Sequence, residues 1–150
     1  METGKNLKLI IQIPCLNEEE TLPQTIRDIP KNIPGISKIE LLVIDDGSTD
    51  RTVEVAKKCG VHHIVSFTGH RGLARAFSSG IDQSLALKAD IIVNTDADNQ
   101  YKGSDITKLV QPILEGKADM VIGTRNIHEH KEFSFTKKQL QKLGSWVVRK

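Results

Sequence analysis

The sequence has little cysteine and no long hydrophobic run. Two cysteines, Cys15 and Cys59, lack the spacing of a metal site, which predicts reduced thiols and a cytoplasmic protein. The longest apolar stretches, such as residues 41–44 and 91–93, fall far short of the roughly 20 residues that a membrane-spanning helix needs. No G-x-G-x-x-G loop follows a predicted strand, which argues against a dinucleotide-binding dehydrogenase.

An excess of one charge is also lacking. Charged residues make up 27% of the chain, yet the formal net charge is only +2. A dedicated nucleic-acid binder usually has a larger, clustered basic excess, so no nucleic acid is expected as a partner. Residues 126–150 hold six Lys and Arg against two Glu, so the basic character belongs to this segment. We therefore divide the chain into a domain over residues 1–125 and a basic tail over residues 126–150.

Short apolar runs alternate with segments of helical period. Five buried strands are predicted, at residues 7–13, 39–44, 63–67, 90–95 and 119–122. Pro14 is expected to end the first strand. The helices between the strands are predicted from a cap at Thr21 to Pro30, with Leu22, Ile26 and Ile29 on one face, and over residues 52–59, 73–87 and 105–114. This alternation predicts an α/β fold with a parallel sheet and helices on both faces.

Two further helices have a predicted buried face. In the helix over residues 73–87 the residues in register are Ala74, Phe77, Ile81 and Leu85. In the helix over residues 105–114 they are Ile106, Leu109, Val110 and Ile113.

Polar and acidic residues follow the predicted strands. In open parallel sheets ligands bind beyond the carboxyl ends of the strands, so segments 17–19, 45–46, 96–100 and 123–125 are expected to face one cleft. The pair Asp96 and Asp98 is the strongest signal, because carboxylates this close repel each other unless they share a cation or a proton. A divalent ion that holds a diphosphate is the favoured interpretation.

Four segments resemble those of the inverting, nucleotide-sugar-dependent family-2 glycosyltransferases of the GT-A fold. Residues 14–19 match the family's P-x-x-N-E-E, residues 43–50 its V-x-D-D-G-S-x-D, and residues 96–98 its D-x-D. Residues 69–76 are similar to its N-x-G-x-x-x-A stretch, with His70 in place of the usual Asn. The resemblance implies a Rossmann-like, mostly parallel sheet and transfer of a sugar from a UDP- or GDP-linked donor.

The subgroup most similar to this chain is the dolichyl- or polyprenyl-phosphate sugar synthases. Gln100 and the segment Gly123-Thr124-Arg125 carry this resemblance. It implies that the acceptor is a polyprenyl phosphate, dolichyl or undecaprenyl. Such a phosphate is already ionised, so no general base is needed, whereas a hydroxyl acceptor would need one.

The resemblance also implies a Mg²⁺ or Mn²⁺ cofactor that stabilises the departing diphosphate. These ions take carboxylate, amide and phosphate oxygens and keep several waters, so one or two protein carboxylates suffice. The expected metal ligands are Asp96, Asp98 and Gln100. Asp98 and Arg125 are the expected catalytic residues, with Arg125 placed to contact a phosphate bidentately.

Nucleotide-binding roles are implied for residues after the first, second and fourth strands. The set is Pro14, Leu16, Asn17, Glu18, Asp45, Asp46, Asp96 and Ala97. Asp45 and Asp46 would accept hydrogen bonds from the base or ribose. Structural alternatives stay open: Asp45 could cap the turn before Thr52, and residues 18–20 could form a solvated first helical turn.

The tail over residues 126–150 is expected to be a basic loop followed, over residues 135–150, by the start of an acceptor-side or interfacial helix, as in a C-terminally truncated catalytic domain. Its apolar residues Leu140, Leu143, Trp146 and Val147 share a helical face, with basic residues elsewhere. Such a helix could lie on an anionic membrane or pack on its own domain. Peripheral membrane contact at the cytosolic face is therefore one expectation.

Two other functions compete with the glycosyltransferase interpretation. One is a sugar-nucleotide-binding module without turnover. The other is a phosphoacceptor receiver domain, which would also place acidic residues like Asp45, Asp46 and Asp96 after its strands. The receiver is disfavoured because Arg125 stands where a lysine is required.

Overall fold

The computed structural model describes residues 6–124, in which four strands and four helices alternate. The elements are β1 (Lys8–Cys15), α1 (Leu22–Asp28), β2 (Lys38–Asp45), α2 (Thr52–Lys58), β3 (His63–Ser66), α3 (Leu73–Ala86), β4 (Ile91–Asn94) and α4 (Asp105–Leu114). All strand pairs are parallel, in the order β3-β2-β1-β4. The predicted parallel α/β sheet is confirmed, and no helix of residues 6–124 is long and apolar enough to cross a membrane.

Two apolar clusters cover the two faces of the sheet. Along β1 and β2 successive side chains point to opposite faces, so nearly continuous apolar runs bury both. Leu9, Ile11 and Val43 belong to the cluster that includes residues of α1, α2 and α4. Ile10, Leu42 and Ile44 pack with Ala76 of α3 on the other face. The prediction of helices on both faces is therefore confirmed.

Pro14 does not end β1, contrary to the prediction. The strand continues to Cys15, and Pro14 pairs with Ile44 of β2. The carbonyl of Gln12 accepts from Thr95 on the β4 side, so Pro14, two residues on, has its missing N–H on that same side. The β1–β4 ladder ends at Gln12 and Asn94, so Pro14 costs the sheet no hydrogen bond.

The predicted fifth strand, residues 119–122, is wrong for the part of the chain that the structure describes. No strand forms there, and Met120 and Ile122 are each 79% exposed. A short apolar run does not by itself distinguish a buried strand from an exposed segment.

The predicted buried face of α3 is also wrong. The face against the sheet consists of Ala76, Gly80 and Ser84, whereas Phe77 is 43% and Leu85 61% exposed. A Cβ on Gly80 would lie 2.3 Å from Oε1 of Gln12. Small residues therefore face the sheet because α3 lies too close for large side chains.

The other helical predictions agree more closely with the structure. Leu22, Ile26 and Ile29 are buried, and α4 has the predicted bounds with Ile106 and Val110 buried. Thr21 precedes α1, but its side chain makes no cap hydrogen bond. Its hydroxyl donates instead to the Glu18 carboxylate.

Candidate functional site

A cavity of about 250 Å³ lies where β1, β2 and β4 end. Seven residues predicted to bind nucleotide or metal line it: Pro14, Leu16, Glu18, Asp46, Asp96, Ala97 and Asp98. The remaining lining residues are Cys15, His70, Leu73 and Ala76. The sheet thus brings together segments that are up to 84 residues apart in the chain, from Pro14 to Asp98.

Asp45 and Asp46 are both buried at the end of β2 but have different partners. Asp45 does not line the cavity, and its Oδ1 accepts from the Ser48 N–H at 3.1 Å. That contact agrees with the alternative in which Asp45 caps the turn. The role of Asp45 in nucleotide binding stays a prediction.

Asp46 holds the loop after β3. Its Oδ1 accepts from the Arg71 N–H at 2.7 Å, and its Oδ2 accepts from the Gly72 N–H at 2.9 Å and from His70 Nδ1 at 2.8 Å. A carboxylate has about four lone-pair positions, so these three contacts leave little capacity for a ligand. Asp46 therefore positions the loop, and direct contact with a base or ribose stays a prediction.

Gly47 lets that loop approach β2 closely. Its φ is +80°, and a Cβ would lie 2.5 Å from the carbonyl carbon of Gly69. No other residue type fits both this backbone conformation and this contact. The contact between the two loops thus accounts for Asp46 and Gly47 at adjacent positions.

Asn17 ties the loop after β1 to the loop after β2. Its Oδ1 accepts from the Thr49 N–H at 2.8 Å, and its own N–H donates to Ser48 Oγ at 2.9 Å. Asn17 is not among the cavity-lining residues. Its predicted contact with nucleotide is untested.

The segment 18–20 precedes α1 and is not its first turn. The Glu18 N–H donates to Thr52 Oγ1 at 2.8 Å, and the Glu18 side chain lines the cavity. Glu19 Oε2 accepts from Arg51 Nε at 2.9 Å. The Leu22 N–H donates to the Glu18 carbonyl at 3.0 Å, so a turn does close here, and the solvated-turn alternative stays open.

The segment after β4 is tied to α1 and contains a local turn at Asp98. The Ala97 carbonyl accepts from Thr25 Oγ1 of α1 at 2.8 Å, and Asp98 Oδ1 accepts from the Gln100 N–H at 3.0 Å. Asp96 and Asp98 both line the cavity. Gln100 instead borders a second cavity of about 980 Å³, which Asp96 also lines. Arg125 lies outside the described residues.

Acidic side chains dominate the electrostatics of the first cavity. Burial raises the pKa of the Cys15 thiol far above its ordinary value, and the carboxylates of Glu18, Asp45 and Asp50 raise it further. This thiol stays protonated and is a poor nucleophile or metal ligand. A diphosphate entering the cavity beside Glu18, Asp96 and Asp98 needs a cation to offset the repulsion.

Asp96 and Asp98 fit a hard divalent cation. Their oxygens are the donor type that Mg²⁺ and Mn²⁺ prefer, and both ions usually keep positions for water and substrate phosphate. Within residues 6–124 no group of three or more His, Cys, Asp or Glu side chains is arranged to hold a metal ion. The two carboxylates would therefore act together with substrate oxygens.

His70 and Leu73 line the cavity but were not among the predicted site residues. The loop that contains them follows β3, so the strand-end rule applied to the other loops could have included it. The orientation of His70 depends on Asp46, which is distant in sequence, and no local signal reveals it.

The chain matches the model of the glycosyl transferase family 2 over residues 10–148. Together with the parallel sheet and the acidic cavity at its carboxyl edge, this match defines the class of protein. The chain belongs to glycosyl transferase family 2. This membership excludes the alternative that the chain is a phosphoacceptor receiver domain.

Three proteins illustrate the similarity. An uncharacterized protein of Methanocaldococcus jannaschii is 39% identical over 121 residues, covering 79% of this chain and 46% of that protein. The undecaprenyl-phosphate 4-deoxy-4-formamido-L-arabinose transferase of Salmonella choleraesuis is 31% identical over 149 residues, covering 95% and 43%. The chain spans about half the length of these curated relatives.

The third is a solved structure, the glucosyl-3-phosphoglycerate synthase of Mycobacterium tuberculosis in complex with Mn²⁺, UDP-glucose and phosphoglyceric acid. It superposes with a TM-score of 0.58 at 30% identity, covering 74% of this chain and 40% of that one. The predicted GT-A fold is confirmed by such neighbours.

Proposed function

We propose that this chain carries the donor site of a metal-dependent inverting glycosyltransferase. In this proposal it binds a nucleoside-diphosphate sugar, UDP- or GDP-linked, and the sugar passes to a polyprenyl phosphate. The observation that carries the proposal is the cavity at the ends of β1, β2 and β4, where Asp96 and Asp98 meet Glu18 and the Asp46-held loop. Membership of glycosyl transferase family 2 supports sugar transfer as the reaction at this cavity.

Different residues along the cavity would bind the metal, the diphosphate and the nucleotide. Asp96 and Asp98 would hold Mg²⁺ or Mn²⁺, with the amide oxygen of Gln100 as a further ligand. When bound, the ion would neutralise the charge that develops on the departing diphosphate. Ala97 is buried and small, so it leaves room for the diphosphate to approach the backbone. Pro14 and Leu16 would form a wall for the nucleotide.

Asp96 borders both cavities, which suggests where the sugar lies. A diphosphate bound at Asp96 and Asp98 would direct its sugar toward the second cavity, beside Asn94 and Gln100. Arg125 would contact a phosphate of donor or acceptor from the segment that follows Thr124.

The acceptor is proposed from the resemblance and the name of the Salmonella relative, which acts on undecaprenyl phosphate. The mycobacterial neighbour is described with phosphoglyceric acid instead, at a similar identity. Both acceptors carry a phosphate, so assays of both classes are needed. A lipid acceptor would place the enzyme at the cytosolic membrane face.

The first test is binding and turnover of the donor. We expect UDP or GDP to bind by calorimetry in the presence of Mn²⁺ and much more weakly with EDTA. Asp98→Asn should lower hydrolysis or transfer of the matching nucleotide sugar by about 100-fold or more, because the metal loses an anionic ligand and keeps only a weaker amide oxygen. Asp82→Asn removes the same charge from the exposed surface of α3 and should leave both properties unchanged.

The outcomes separate the candidate functions. Binding without any turnover, with either a polyprenyl phosphate or a phosphoglycerate acceptor, would favour a sugar-nucleotide-binding module. Failure of UDP, GDP and their sugars to bind with Mn²⁺ would refute the proposed donor site.

A further inference from the structure

We propose that His70 determines the nucleobase specificity of this site, with its Nε2 accepting a ring N–H of the base. The chemistry recognised is the N3–H of uracil or the N1–H of guanine. This inference rests on the proposed function, because only a nucleotide donor brings a base into the cavity.

The contact with Asp46 fixes the tautomer of His70. His70 Nδ1 lies 2.8 Å from Asp46 Oδ2, and an ionised carboxylate can only accept a hydrogen bond. Nδ1 therefore carries the hydrogen, and Nε2 of the neutral ring has a lone pair. A ring N–H is a matching donor for that lone pair, whereas a phosphate oxygen offers no hydrogen. The side chain is 61% exposed, which leaves room for a ligand.

The loop that carries His70 is held in place on three sides. Asp46 accepts from the N–H groups of Arg71 and Gly72, the two residues directly after His70. The Arg71 guanidinium carbon lies 5.3 Å from the centre of the Phe67 ring, and Gly47 packs against Gly69. The imidazole is thus positioned before a ligand arrives, which lowers the entropic cost of binding.

The strand order places His70 at a suitable distance from the acidic pair. His70 is anchored to the end of β2, whereas Asp96 and Asp98 follow β4, two strands away. Neighbouring strands lie about 4.8 Å apart, so the two ends of the cavity are separated by ~10 Å. This is comparable with the reach of a nucleoside diphosphate from its base to its outer phosphate.

Apolar side chains beside His70 suit a flat ring. Leu73, three residues later, is 67% exposed, and Leu16 is 38% exposed, and both line the same cavity. A base that covers them would bury apolar surface, while its edge meets the imidazole. The hydrogen bond would then select bases that carry a ring N–H.

The test combines a protein variant with a base analogue. Calorimetry with Mn²⁺ measures UDP and 3-methyl-UDP, and in parallel GDP and 1-methyl-GDP, on the wild type and His70→Ala. We expect His70→Ala to bind the preferred unmethylated nucleotide about three- to tenfold more weakly, the usual effect of one hydrogen bond. Base methylation should weaken wild-type binding clearly more than it weakens His70→Ala.

Two controls accompany this cycle. Arg75→Ala, at an exposed position on α3 outside the cavity lining, should bind every ligand as the wild type does. Inorganic diphosphate with Mn²⁺ should bind equally to the wild type and His70→Ala, which also establishes that the variant is folded.

Several results would overturn the inference. If His70→Ala bound UDP and GDP as tightly as the wild type does, contact with the base would be excluded. The same would follow if base methylation weakened binding equally in both proteins. In either case the donor site would stay intact. An equal loss for inorganic diphosphate and UDP would assign His70 to the phosphates. No binding of UDP or GDP by the wild type would remove the proposed function and this inference together.

Discussion

Gly47 has no side chain because the loop after β3 leaves no room for one. Its φ of +80° and the 2.5 Å approach of a Cβ to Gly69 make Gly47→Ala unfavourable twice, by strain and by overlap. We expect a loss of at least about 2 kcal/mol in the free energy of unfolding, measured with urea. Nucleotide affinity should fall as well, because the loop carries His70.

Gly60→Ala is the matched control at the residue scale. Gly60 has a similar φ of +76°, but a Cβ there would meet nothing within 4 Å. It should therefore lose only about 1 kcal/mol, through strain alone, and keep its nucleotide affinity. Equal losses for the two variants would contradict the overlap at Gly69.

At the element scale, α3 contacts the sheet through its smallest residues. Gly80→Ala should gain up to about 1 kcal/mol in helix propensity. Its Cβ would lie 2.3 Å from Gln12 Oε1 and 2.8 Å from Ile44 Cδ1, so we expect a net loss of about 1–2 kcal/mol in urea unfolding. A net gain in stability would mean that α3 does not pack this closely.

Leu85→Ala tests the opposite face of α3. Leu85 is 61% exposed, so the change should alter stability by no more than about 0.5 kcal/mol. Hydrophobic periodicity had assigned Leu85 to the core. A loss of several kcal/mol would restore that assignment.

At the scale of the whole molecule, Glu40 joins three strands near their amino ends, at the opposite end of the sheet from the cavity. Its carboxylate lies 2.7 Å from Lys8 of β1, 2.6 Å from Lys38 of β2 and 2.8 Å from His63 of β3. Burial raises the pKa of Glu40, but the bonds from Lys38, Lys8 and His63 outweigh it. They hold the pKa at about 2, against an ordinary value of 4.5.

This network predicts a pH dependence of folding. Because the pKa is lower in the folded state, its stabilisation is complete above about pH 4.5 and is lost as the pH falls toward 2. The shift corresponds to about 3 kcal/mol. Urea unfolding between pH 2 and 6 should give a smaller loss for Glu40→Gln than for the wild type. Identical pH profiles would contradict the role of Glu40.

The sequence by itself determined the family, the parallel α/β sheet, and the placement of Asp96 and Asp98 at its carboxyl edge. Local patterns suffice for these, because strand and helix periods and the strand-end rule depend on neighbouring residues. Even so, the same patterns failed where residues 119–122 were read as a strand and where Pro14 was read as a stop.

Only the tertiary structure decided how the site is assembled. The hydrogen bonds that Asp46 accepts from residues 70–72, the close approach of Gly47 to Gly69, and the small face of α3 all join segments distant in the chain. Such contacts depend on the distance between packed elements, which no local pattern encodes. For this reason the position of His70 in the cavity was known only from the structure, whereas most of the residues around it were predicted from the sequence.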